Sequence, residues 1–156
     1  MSVPEFKLSM GSLSDNLKKL QRKSPAAFHQ SMKVGGLQFL EWSANGSVND
    51  NSKPPIDEGF LRGSGSAFVG SDFVGVVKDA DNREANRNYS GEANQLTIGY
   101  NTNYAAAMHE KNYIARKDGG NKWLENHIMN DKEALYKTIA IQFEKELAGF
   151  LPKDGI

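Results

Sequence analysis

Residues 109 to 113, His-Glu-Lys-Asn-Tyr, begin as a zinc-protease helix would, with an imidazole beside a carboxylate. Two histidines one helical turn apart would have to hold the metal, and the second position is Tyr113, so that face is missing. Asp79 to Glu84, DADNRE, carries the oxygen ligands with which a calcium loop opens. Glu84, however, stands where the sharp turn needs glycine, and Ser90 where a bidentate glutamate would close the shell. Gly63-Ser64-Gly65-Ser66 precedes a strand-like run, whereas a phosphate-cradling loop follows a strand, opens a helix and ends in Lys-Ser/Thr. Asp57 and Glu58 are neighbours on an extended turn, so their carboxylates point apart, and no nucleophile lies nearby. His29 and His127 fall in separate predicted helical regions with no carboxylate spacing that suggests a shared site. The expectation is no catalytic residue, no cofactor and no metal.

Composition narrows the classes further. A chain of 156 residues suits one domain spanning 1–156. Lys+Arg and Asp+Glu both total 19, so there is no global basic field of the kind that gathers nucleic acid. Phe68, Phe73, Tyr100, Tyr104, Tyr113 and Trp123 could stack bases, but nucleic-acid platforms interleave aromatics with Lys and Arg. The strand aromatics sit among Gly, Val, Ser and Asp instead, so core or interface packing is the better reading. Cysteine is absent, which removes disulfides, thiolate catalysis and thiolate-bound zinc. The opening MSVPEFKLSMG has no basic region followed by an apolar run, and no stretch approaches the roughly 18 apolar residues of a membrane span. A soluble, non-secretory setting is expected, with the triplets at Asn45 and Asn88 read as turns.

The elements that would position these residues are legible in part. Leu13, Leu17 and Leu20 have helical spacing. Ser24-Pro25 reads as an N-cap followed by proline at the first helical position, opening a second helix from Pro25 to about Ala44. Gly35-Gly36 within it costs roughly 1 kcal/mol per glycine relative to alanine, which predicts a kink or a close approach to a neighbour, the alternative being that the helix breaks there. Asn45-Gly46 stops that helix. SAFVGSDFVGVV, from Ser66, predicts a hairpin turning at Gly70-Ser71-Asp72. Residues 78–92 are almost wholly polar and predict a long exposed loop or hairpin tip, and QLTIGY from Gln95 alternates as a strand with Leu96, Ile98 and Tyr100 on one face. A C-terminal helix is expected from Asp131 to about Ala148, with Asn130 and Glu133 in a capping arrangement. The sum is an α+β domain: an antiparallel β-sheet with N-terminal helices and a C-terminal helix packed on it, and a long exposed β-hairpin loop.

Pro54 to Gly65, PPIDEGFLRGSG, then reads as a corner. The prolines hold an extended approach, Asp57 accepts a hydrogen bond two residues on, Gly59 takes positive φ, and Phe60 and Leu61 return to the core.

Three segments in order resemble one family. PPIDEGFLRGSG is similar to the P-x-D-x-G-x-L-R-x-S lead-in to the first strand of the minor capsid and tail-completion (head-to-tail joining, neck) proteins of long-tailed bacteriophages. Tyr104-Ala105-Ala106-Ala107-Met108-His109-Glu110 resembles that family's Y-A-x-x-x-H-E, and Gly119-Gly120-Asn121-Lys122-Trp123-Leu124-Glu125 its G-G-x-x-K-aromatic-L-E. The likeness spans roughly residues 12 to 150 and departs from the family pattern at Glu110-Lys111-Asn112 and in the long 78–92 insertion.

The resemblance implies a virion structural protein without catalytic activity, forming a cyclic ring, a hexamer or dodecamer, in the neck between head and tail. Its neighbours would be connector or portal-side adaptor proteins and the tail tube or tail terminator, with DNA only as passing cargo and no membrane. Assembly would take place in the host cytoplasm. The structural and interface candidates are Asp57, Gly59, Leu61, Arg62, Tyr104, His109, Glu110, Lys122, Trp123, Leu124 and Glu125. Arg62 is expected to anchor the corner or a neighbour, the 78–92 loop to project toward another subunit, and Gly-rich helix two and the 104–123 segment to supply ring contacts. The alternatives are a minor capsid or head-associated protein bound to the shell and, outside the virion, a small-molecule-binding or enzymatic α+β domain. A deep pocket with perturbed carboxylates near Asp57, His109 and Glu110 would mark the last.

Overall fold

The computed structural model describes residues 5–8, 15–54, 59–110 and 122–150. In chain order the elements are β1 (Glu5–Leu8), α1 (Asp15–Lys23), α2 (Pro25–Asn45), α3 (Phe60–Gly63), β2 (Gly65–Val69), β3 (Asp72–Val76), β4 (Leu96–Tyr100), α4 (Ala105–Glu110) and α5 (Trp123–Phe150). The fold is α+β, with helices before and after an antiparallel sheet of order β1-β4-β2-β3. β1 was not foreseen: four residues carry too short an alternation to be read alone, and pairing with β4 makes them a strand.

α2 is the central element. Ser24 caps it as expected, its side chain accepting from the Ala27 N–H at 3.3 Å, with Pro25 following. Gly35 and Gly36 do not break it. A Cβ on Gly35 would lie 2.6 Å from Ile139 Cγ1 of α5, and one on Gly36 would overlap the Leu96 side chain of β4. The pair lets α2 seat between the sheet and α5, so these two glycines are packed inside the chain. Phe28, Met32, Phe39 and Leu40 complete the buried stripe, against Leu135, Ile139 and Phe143.

The β2–β3 hairpin turns at Gly70-Ser71, with Gly70 at φ 59, which suits the first position of a two-residue hairpin loop. Leu96, Ile98 and Tyr100 belong to the helix-covered core, and Thr97 and Gly99 alternate to the other side. The chain from residue 77 to 95 covers that other side. It joins β3 to β4 across β2, so it closes no hairpin and does not stand away from the sheet as expected. Tyr89 lies on Phe68 at 5.3 Å, Asn82 Nδ2 donates to the carbonyls of Gly63 and Val77, both at 3.0 Å, and Asn101 Nδ2 donates to Glu84 O at 3.0 Å. Polar side chains spent on backbone oxygens explain how a segment with so few apolar residues packs.

α5 starts at Trp123, well before the expected Asp131. Trp123, Leu124 and His127 are buried, so the inward stripe extends N-terminally, and Asn130 lies inside the helix and bonds Asp50 of another loop instead of capping with Glu133.

Candidate functional site

The corner and the two later motifs meet at one end of the sheet. Gly59 adopts φ 85, as expected, and releases Phe60–Gly63 into a single helical turn. Leu61 is buried, and Arg83 sits over the Phe60 ring at 4.7 Å. Arg62 anchors the corner within the chain: its Nη1 donates to Asn45 Oδ1 at 3.1 Å, Asn45 Nδ2 donates to Glu41 Oε2 at 3.0 Å, and Glu41 Oε1 accepts from the Lys78 N–H at 2.8 Å. The Ser64 hydroxyl donates to Leu61 O at 2.7 Å and accepts from the Asn101 N–H at 3.1 Å, tying the corner to the end of β4. Asp57 lies outside the described residues, as do Tyr113 and Gly119 to Asn121.

Beyond β4, α4 meets the start of α5. Trp123 packs edge-on against Tyr100 at 5.6 Å and against the His109 ring at 4.8 Å. Tyr100 in turn bonds the Ser43 hydroxyl at 2.7 Å, and burial pushes its phenol well above the ordinary value. Lys122, at φ 55, donates its N–H to His109 O at 2.8 Å, and its Nζ bonds Glu110 and reaches Glu125 Oε2 at 3.4 Å. Lys122 and His109 hold the Glu110 carboxyl below its usual value, and Glu110 raises Lys122. The lowered pKa disfavours Glu110 as a proton donor. Leu124 is buried, while Tyr104, at the turn into α4, is 43% exposed.

His109 is nearly enclosed. Its Nε2 accepts from the Glu125 N–H at 3.4 Å, which leaves the proton on Nδ1 to donate to Glu110 Oε1 at 3.0 Å. Burial depresses its pKa below the ordinary 6.5, against the opposing pull of Glu110. As pH falls through 6.5, the unfolded chain takes up a proton that the folded chain refuses, so stability present above 6.5 is lost below it. Urea unfolding at pH 7.5 and pH 5.5 is expected to show a smaller acid loss in His109→Gln than in the native chain; equal losses would remove His109 as the cause.

A second polar cluster escaped sequence reading. His127 and Asp131 are fully buried one turn apart on α5, with Nδ1 and Oδ2 2.5 Å apart. His127 Nε2 donates to the Ser52 carbonyl at 2.6 Å, and Asp131 also accepts from Ser47 Oγ at 2.7 Å and Asn49 Nδ2 at 3.2 Å. Burial works against the nearby Asp50 carboxylate, but bonds from Ser52 and Asn130, with His127 close by, leave its pKa below the usual value. The dyad has the form of a base and its orienting acid, but Nε2 faces a carbonyl oxygen, so no hydroxyl is placed to be activated. Its work is to strap the 47–52 loop onto α5. The spacing His127-x-x-x-Asp131 is the available signal, one helical turn once α5 begins at Trp123. His29, the other histidine set aside, bonds Asp72 at 2.8 Å and pins α2 to the hairpin.

Comparison of the chain with protein-family models, with curated proteins and with solved structures finds no match. The arrangement of residues therefore carries the functional argument. Among the described residues, no group of three or more His, Cys, Asp or Glu is disposed to hold a metal ion, and no helix is long and apolar enough to cross a membrane.

Proposed function

We propose that this chain is a non-catalytic structural subunit of a tailed-phage virion, closing as a ring in the neck between capsid connector and tail tube. The observation that carries the reading is the convergence of the three family-like segments on one end of the sheet. Gly59 to Ser64, His109-Glu110 and Lys122 to Glu125 are far apart in sequence, yet they are joined through Asn101, Tyr100 and Trp123. A joint so thoroughly tied is a rigid shape, which suits a subunit that must present fixed faces to neighbours. The Lys122 amine bonded to Glu110 and the carbonyl that caps His127 favour this reading over an acid–base enzyme.

With Gly35 and Gly36 occupied internally, the exposed apolar side chains that could meet neighbours include Met129, which is 72% exposed, and Val48, fully exposed on the strapped loop. A ring places such residues in heterologous contacts, each copy offering one face to the next. The test is assembly without this chain. Filled heads and finished tails should accumulate unjoined, and added purified protein should join them. Normal joined particles would overturn the reading, and density for the subunit on the shell would replace it with a shell-bound minor capsid role.

A further inference from the structure

The chain is neutral overall, but its charge is not evenly spread. Lys18, Lys19, Arg22 and Lys23 lie within α1, whose single acid is Asp15, so the remainder of the chain is net acidic. Leu17 is 2% exposed and Leu20 packs against the core, and the helical period puts Lys18, Lys19 and Arg22 on the opposite, outward side with Lys23 on its flank; Lys19, Arg22 and Lys23 are exposed. Arg22 Nε donates to Lys18 O at 3.3 Å, which lays that side chain along the helix. No ion pair neutralises any of the four among the described residues, whereas Lys33, Arg83 and Lys122 each have a carboxylate partner.

We infer that the outward face of α1 binds the phosphate backbone of duplex DNA. Lys18 to Lys23 span about 8 Å of helix axis at 1.5 Å per residue. Four charges over that length approach the density of the duplex, about one phosphate per 1.7 Å of axis, which few acidic protein surfaces reach. A membrane surface is the poorer match, because the leucines that would have to insert are already packed inside the fold. Contacts to phosphate alone carry no sequence preference and yield readily to salt, which permits sliding. A ring would repeat the face once per copy and gain by multivalency. The proposed neck location supplies the biological setting and rests on its own test; the inference here is read on the isolated protein.

The experiment is binding of the purified full chain to random-sequence duplex DNA between about 50 and 200 mM salt, by fluorescence anisotropy. The native chain should give a log–log salt slope of about −3 to −4, near −0.9 for each phosphate neutralised. K18Q/K19Q/R22Q/K23Q should lose most of that slope and bind at least about tenfold more weakly at the lowest salt, with circular dichroism unchanged. K132Q/K137Q/K145Q, which removes three exposed cations from α5, should bind as the native chain does. Absence of native binding at the lowest salt, equal loss in both variants, or tighter binding to phosphatidylserine vesicles at matched charge would each overturn the inference. DNA binding that depends on α1 in a protein dispensable for head–tail joining would refute the neck reading and leave this one standing.

Discussion

Replacing His127 by alanine is expected to cost the fold about 2–3 kcal/mol, because it takes a hydrogen-bond partner from both Asp131 and the Ser52 carbonyl. The loss follows from what remains. Asp131, fully buried, keeps Ser47 and Asn49 but loses the group 2.5 Å from its Oδ2, and the Ser52 carbonyl loses its donor. A polar group inside the fold that loses its partner costs about 1–3 kcal/mol, a sizeable fraction of an ordinary domain's 5–15 kcal/mol. The 47–52 loop should also come free of α5, so amide exchange there should quicken more than in β2 or β4. Urea midpoints for His127→Ala, Asp131→Ala and the double variant would measure the coupling, and the two single losses should be far from additive. A His127→Ala loss below about 1 kcal/mol would show that the dyad does not hold the strap.

The second large effect is expected at Gly63, in the corner. A Cβ there would overlap the carbonyl of Asp81, with Asp81 N at 3.0 Å as well. Backbone atoms cannot rotate out of the way as a side-chain tip can, so Gly63→Ala must lift the 77–95 segment from the sheet. That removes the Asn82 bonds to Gly63 and Val77 and loosens Tyr89 from Phe68. A loss near 3 kcal/mol is expected, the upper end of the usual range for overpacking. Trypsin should cut the variant faster after Lys78, Arg83 and Arg87. Gly149→Ala is the control, since nothing lies within 4 Å of its added Cβ. An unchanged urea midpoint with an unchanged tryptic pattern in Gly63→Ala would mean that the segment is not held against the corner.

Both effects sit where local pattern was silent. The Ser24-Pro25 start of α2, the stop at Gly46, the Gly70-Ser71 turn, the alternation of β4 and the positive φ of Gly59 were all legible, because each is set by residues within one turn or one strand of the position concerned. Gly35-Gly36 announced close approach without saying to what, and the answer, Ile139 on one side and Leu96 on the other, depends on two elements distant in sequence. Asn130 with Glu133 looks like a cap, which sets the expected start of α5 too late, and only the 47–52 loop, folded against the helix, gives Asn130 another partner in Asp50. The 78–92 segment was read as projecting because polar residues suggest exposure, yet Asn82 and Asn101 use their polarity to bond backbone oxygens and hold it down.

The candidate site divides in the same way. Sequence alone determined the α+β class, the missing metal-binding histidine at Tyr113, and three segments worth watching. The tertiary structure decided that His109, Glu110, Lys122 and Trp123 form one joint, that Arg62 is spent on Asn45, and that the cations of α1 face outward together. The physical reason is range. Capping, turn φ and alternation act between near neighbours in sequence, while ion pairing, burial and the direction of a charged face are properties of surfaces that exist only once distant segments have packed.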